Sequence, residues 1–385
     1  MNQYVEDFTT KSYCDTLSTT AEWDTTAGEI RLPPFEVTLG GSYPYGSTRC
    51  AVVSGDRVYM ATGNGLGVLD ISDPEVPTWV AGCGMPARVD GIAISGNHAY
   101  VADYTSGLQV VDVSDPTTPT IVGSCDTPGF AQAVAVSGDH ACVADGAFGL
   151  HVFDISDPSA PALTGSYDTP DFCWDLEVSG DYAYLVDDGT GLLVLDISDP
   201  SSPALVGSYN TSGNAMGVAI AGDRAYVADY ASGLKVIDVS DPTAPVLEGN
   251  CGTPSYARGV TLAGDYAYVA DSYSGLRVID VSDPAAPSLI GGYDTPENAY
   301  EVEVSGDYAY VSDYVGVQVL DISDRTSPTF AGGYDTPGTA QAVALAGDRV
   351  YVADEGAGLE VLDISDPASP SLIGSHSTLG RALDV

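Results

Sequence analysis

The chain has 385 residues and carries 54 Asp and Glu against 12 Lys and Arg, a formal net charge of −42 that argues against nucleic acid or an anionic membrane surface as partner. Its 44 Gly, 24 Pro and 24 Tyr favour strands and turns over helices. No apolar run is long enough to insert in a membrane, and MNQYVEDFTT has neither the basic nor the apolar region of a signal peptide, so for an exported protein the signal is expected outside this sequence.

Residues 1–33 stand outside any repeat, are rich in Thr, Ser and Asp, and have room for one hairpin. Pro34 to Gly46, PFEVTLGGSYPYG, matches only the tail of the units that follow, such as PALVGSYNTSG at Pro203 to Gly213. It predicts an orphan outer strand at about 34–43.

From there the chain repeats. The tetrapeptide Asp-[Ile/Val]-Ser-Asp begins at Asp70, Asp112, Asp154, Asp196, Asp238, Asp280, Asp321 and Asp363, a spacing of 42 residues with one step of 41. A period in this range means one supersecondary unit used many times. The fifth copy divides at its turn signals into four strands. Strand A is Gly217 to Ala221, followed by a tight Gly222-Asp223 turn, and strand B is Ala225 to Asp229. Strand C, LKVIDVS, ends at Asp241-Pro242-x-x-Pro245, and strand D, VLEGNC, closes the unit. Eight such units without a helix predict an all-β fold, an eight-bladed β-propeller over 34–385. The final residues 382–385 start a further inner strand, so nine blades with the last one incomplete is the alternative.

Taper is written into the repeat. Gly91, Ala133, Gly217, Gly259 and Ala342 share a strand A position, where blades converge and only small side chains fit. Tyr59, Tyr100, Tyr184, Tyr226, Tyr268, Tyr310 and Tyr351 share a strand B position, where the gap between sheets needs bulk. Cys142 replaces that tyrosine in the third copy, and Cys83, Cys125 and Cys251 fall where other copies have a strand D tyrosine, so these thiols read as structural fillers. A bridge between Cys125 and Cys142 stays open as an alternative. About four aspartates per unit, as Asp223, Asp229, Asp238 and Asp241 show, are assigned to turns and strand ends on a solvated acidic surface.

The recurring Gly-Leu-x-[Val/Ile]-x-Asp-[Ile/Val]-Ser-Asp-Pro, beside GDYAYVAD, resembles the LVIVD repeat over roughly residues 47–385. That family forms propellers in secreted or surface-attached bacterial and archaeal proteins. The resemblance implies the fold and an extracellular or cell-surface setting; it implies no catalytic residues, because the repeat residues build blades.

In a propeller the D-to-A and B-to-C loops share one face. Here that face varies among copies while the opposite one repeats Ser-Asp-Pro and Gly-Asp. It carries Tyr104, Phe148, Tyr230, Tyr273 and Tyr314 in B-to-C loops, and Phe130, Phe172, Trp174, Tyr256, Arg258 and Tyr300 around the D-to-A loops. Rings on a rigid loop face suit docking, since they bury much area at small entropic cost. A second departure is acidic: Asp175 and Glu301 stand at the small-residue position of strand A, with Glu177 and Glu303 two residues on. Inner carboxylates must be paired, protonated, wet or bound to a cation, and calcium is the cofactor that this set would suit. Cleavage of a glycoside would instead require a carboxylate pair about 5 to 10 Å apart.

These features predict a non-enzymatic extracellular scaffold that binds protein or glycan partners through its aromatic loop face, with self-assembly into an array or filament through the orphan strands as an extension. The alternative is a polysaccharide-active hydrolase or lyase at the channel mouth.

Overall fold

The computed structural model describes residues 78–335 without a break, together with 22–24, 29–31, 51–54, 57–61, 65–70, 340–346, 348–354 and 358–376. The chain divides into two units, Met1–Tyr43 and Pro44–Val385. In the first, Glu22–Asp24 pairs antiparallel with Glu29–Arg31, Trp23 opposite Ile30, which is the hairpin expected of the lead-in.

In the second unit the described residues form eight four-stranded antiparallel sheets, each built from four consecutive strands. Blade five shows the plan: Gly217–Ala221, Arg224–Ala228, Leu234–Asp238 and Val246–Cys251, from inner edge to outer edge. The A-to-B connection is tight because Gly222 adopts a φ of 57°, which lets the two strands turn back within two residues. Inner strands of successive blades touch, and Ala51–Ser54 meets both Gly91–Ser95 and Ala340–Ala346, so the ring closes with eight blades. The orphan strands expected at about 34–43 and 382–385 lie outside the described residues.

Inner-edge crowding is visible at Gly91, where a Cβ would stand 2.9 Å from the carbonyl oxygen of Gln132 in the next blade. Further out, each gap between blades holds its own apolar core. Tyr226, Leu234 and Val236 of blade five pack on Ala257, Ala267, Val269 and Ile279 of blade six, with Tyr226 only 6% exposed. In the corresponding gap between blades three and four the tyrosine is replaced by Cys142, packed with Leu185 and Leu195. Cys125 belongs to a different core, the one between blades two and three. Cys125 and Cys142 are both free thiols, so the bridge left open from sequence is not formed.

The repeated C-to-D turn is an inter-blade clamp. Asp238 accepts the Ser240 amide at 2.9 Å, and Asp241 accepts the Thr243 amide at 3.0 Å and its hydroxyl at 2.6 Å, which winds the Ser-Asp-Pro turn. These bonds hold both carboxyls below the usual range. The wound turn then lies over the outer strand of the preceding blade. A Cβ on Gly207 of blade four would come within 2.2 Å of the Pro242 carbonyl oxygen and 2.5 Å of Pro245 Cδ, and Gly165 meets Pro200 and Pro203 in the same way. Strand D has a register shift opposite Val236 and Ile237, with equivalents in its sister blades, and the glycine sits beside that bulge.

Candidate functional site

The loop face is built on a buried aspartate. Strand B of blades two to eight is followed or ended by Asp103, Asp145, Asp187, Asp229, Asp271, Asp313 or Asp354, all without solvent exposure. Asp145 accepts the Thr127 hydroxyl at 2.6 Å and the Gly129 amide at 2.8 Å; Asp271 accepts the Thr253 hydroxyl at 2.6 Å and the Ser255 amide at 2.9 Å. Each ties the D-to-A loop to the end of strand B, which makes the face rigid. Burial raises the carboxyls of Asp103, Asp145, Asp187, Asp229, Asp271 and Asp313, and Asp103 is pushed up to about 7 against the opposing Ala87 amide, with Asp90 adding to the rise. The sequence reading grouped Asp229 with the turn acids on a solvated surface; the structure separates them, because Asp229 ends an apolar strand and turns inward. The signal was present in the fixed separation of Thr127 from Asp145, Thr211 from Asp229 and Thr253 from Asp271.

In blades two, three, five and six the residue after this aspartate is left-handed: φ is 40° at Tyr104, 55° at Gly146, 45° at Tyr230 and 43° at Ser272. That conformation lets its backbone pair with the start of the next blade, as in the bonds from Tyr230 N to Ala257 O at 3.1 Å and from Ala257 N to Tyr230 O at 3.0 Å. A side chain there costs about 1 kcal/mol or more. Blade three avoids the cost with Gly146, whereas blades two and five keep tyrosine.

Those tyrosines stack on the neighbouring blade. Tyr230 lies parallel to Tyr256 at 4.2 Å and Tyr104 parallel to Phe130 at 4.4 Å. The Arg88 guanidinium, itself paired with Asp90, lies 3.9 Å over Tyr104 and must occupy the face opposite Phe130. Phe172 contacts Trp174 at 4.5 Å, Tyr273 meets Tyr256 edge-on at 6.3 Å, and Arg258 lies 5.2 Å over Tyr300. Two aromatic arcs result, one over blades two to four and one over blades five to seven, separated by polar loops where Asn214 bonds Asp188 and Asn210 donates to Gly189 O at 3.2 Å. Phe130, Phe148, Trp174, Tyr256, Tyr273 and Tyr314 are exposed, Tyr273 by 70%. Tyr104, Phe172, Tyr230, Arg258 and Tyr300 are half-buried, and Asp126, Asp168, Asp171, Asp294 and Glu297 stand exposed among the rings.

The inner acids engage the next blade. Asp175 accepts the Val218 amide at 3.3 Å and Glu177 accepts the Ile220 amide at 2.8 Å, so both carboxylates cap donors on the inner strand of blade five. Burial pushes Asp175 up to about 6, against those amides, and also raises Glu177. Glu301 and Glu303 stand three blades away on Ala299–Ser305, and burial raises Glu303. Among the described residues, no three His, Cys, Asp or Glu side chains converge as a metal site would require.

His151 is also buried beside the row of strand B aspartates, with its Nδ1 3.8 Å from Asp145, and desolvation lowers its pKa.

A profile of the LVIVD repeat matches residues 45–83, 87–127, 128–169, 173–211, 212–253, 254–295, 296–336 and 337–378. No curated protein matches the chain significantly. Among solved structures, the chain is similar to the computationally designed Ika8 protein, at 11% identity and a TM-score of 0.70, covering 82% of this chain and 96% of that one. Sqt1 of Chaetomium thermophilum, solved bound to the N-terminus of the ribosomal protein L10, gives 14% identity and a TM-score of 0.65, with 80% and 93% covered. BamB of Moraxella catarrhalis gives 14% and 0.60, with 79% and 92% covered. At such identities the likeness speaks for the fold alone.

Proposed function

This chain belongs to the LVIVD-repeat family, and on that premise we propose that it is a non-enzymatic docking module, extracellular or at the cell surface, whose aromatic loop face engages a protein segment bearing basic and apolar side chains. One observation carries the reading: stacked rings are held on that face at a backbone cost that Gly146 shows to be avoidable. Exposed carboxylates between the rings add complementarity to Lys and Arg, which also favour aromatic faces. A flat sugar ring needs a free aromatic face, and Tyr104 has both of its faces covered. The complex of Sqt1 with a protein N-terminus supports a peptide partner on a similar scaffold. The hydrolase reading is less favoured because Asp175 and Glu177 are engaged by amides of the neighbouring blade.

The test follows heat release by calorimetry during titration with a panel of basic amphipathic peptides and with neutral oligosaccharides, in the native chain and in a variant carrying Tyr104→Gly, Phe130→Ala, Tyr230→Gly and Tyr256→Ala, which alters both arcs. Peptide binding that weakens with salt and drops at least tenfold in the variant is expected. Binding of oligosaccharides alone, or peptide binding indifferent to the substitutions, would refute the proposal.

A further inference from the structure

Every blade but the third places a tyrosine in the middle of strand B, 6% exposed or less, filling the gap to the next blade. Its phenol runs toward the A-to-B turn of that next blade. Besides burial, the turn aspartate there raises the phenol pKa: Asp139 acts on Tyr100, Asp223 on Tyr184, Asp265 on Tyr226 and Asp348 on Tyr310. In blade three the position is Cys142, and the corresponding turn residue of blade four is Asp181. The thiol is far shorter than a phenol. Leu185, where sister blades carry Val143 or Val227, takes up part of the difference.

The remainder is a cavity of about 280 Å³ between the two blades, lined by Cys142, Val152, Ile197, Gly180, Asp181 and Ser198. Its floor is formed by the fully buried Cys142 and Val152, and its mouth is polar, with Asp181 and Ser198 exposed. Apolar depth with a carboxylate at the rim is the environment that Tyr100, Tyr184, Tyr226 and Tyr310 meet at their junctions. An apolar cavity of about 150 Å³ already suffices to bind benzene.

We propose that this cavity is a binding site for a small phenol, which enters from the A-to-B turn face, lies between blades three and four as tyrosine does elsewhere in the ring, and donates its hydroxyl to Asp181. The cavity opens on the face opposite the aromatic arcs, so the site is independent of the docking surface. His140 also lines the cavity, but Asp181 and the net charge of −42 both repel anionic aromatics, which are disfavoured. Burial pushes the Cys142 thiol up to about 12, so it stays neutral beside the ligand.

The probe is p-cresol, which is the tyrosine side chain as a free molecule, titrated into the full chain by calorimetry with the melting temperature read in parallel. Saturable one-to-one binding is expected, with toluene at least tenfold weaker and benzoate inactive. C142S should retain binding. C142Y should lose it and melt higher than the native chain in the absence of p-cresol. If C142Y does not fold, nuclear Overhauser contacts between bound p-cresol and the Val152 methyls of the native chain supply the location. Absence of saturable binding, equal binding to folded C142Y, or contacts confined to residues outside the cavity would each overturn the site, and toluene equal to p-cresol would overturn the role of Asp181.

Discussion

Replacing Asp103 with Asn removes one buried carboxyl from titration and leaves an oxygen to accept the Ala87 amide, which reaches the aspartate oxygens at 3.0 and 3.3 Å. The folded carboxyl holds its proton up to about pH 7, the unfolded one only to its ordinary value of 3.8. Between those values the unfolded chain binds fewer protons, so stability falls as pH rises, and the full cost is present above 7. A separation of about 3 pH units at 1.36 kcal/mol each makes that cost roughly 4 kcal/mol for this group. Arg88 engages Asp90 rather than Asp103, and Asp90 adds to the upward push. Urea unfolding at pH 5, 6, 7 and 8 is the assay. Relative to the native chain, Asp103→Asn should gain about 1.4 kcal/mol per unit between pH 5 and 7 and level off above. Parallel loss of stability in both proteins across that range would show that Asp103 titrates normally and that its burial is fully compensated.

Two further outcomes follow from the blade junctions. Gly207→Ala drives a Cβ to 2.2 Å from a backbone oxygen, so one clamp must open, and a loss of about 3 kcal/mol or more is expected by chemical denaturation, whereas Gly222→Ala, with nothing within 4 Å, loses only about 1 kcal/mol for its left-handed backbone. Addition of EDTA should leave the melting temperature unchanged, because Asp175 and Glu177 cap amides of blade five; a fall of several degrees would reinstate a cation at the inner acids.

The architecture was legible because each unit carries its own punctuation: Gly222 at one turn, the Asp241-Pro242 turn at the other, and apolar strands between. Face assignment was legible too, since strand order alone puts Tyr230 and Tyr256 on one side. What stayed hidden depends on which residue of a neighbouring blade lies opposite. Asp229 and Asp238 are the same residue nine positions apart, one buried beneath Thr211 and the other exposed at a turn, and only the fold separates them. Asp175 and Glu177 looked costly as inner charges because their partners, the Val218 and Ile220 amides, are backbone groups that no side-chain pattern announces. Cys142 was recognised as a replacement for tyrosine, but that Leu185 fills its place only in part is a fact of packing.

The clamp between each C-to-D turn and the preceding glycine has an evolutionary consequence. The same contact recurs at six successive junctions, from Gly123 against Pro161 to Gly332 against Pro370, so a gene that duplicates or deletes a unit within that run leaves its joints chemically complete. Copy number is then selected by angular closure of the inner strands alone, and once closure is met individual units can diverge in their loops, as the one-residue-shorter B-to-C loop around Tyr314 already has.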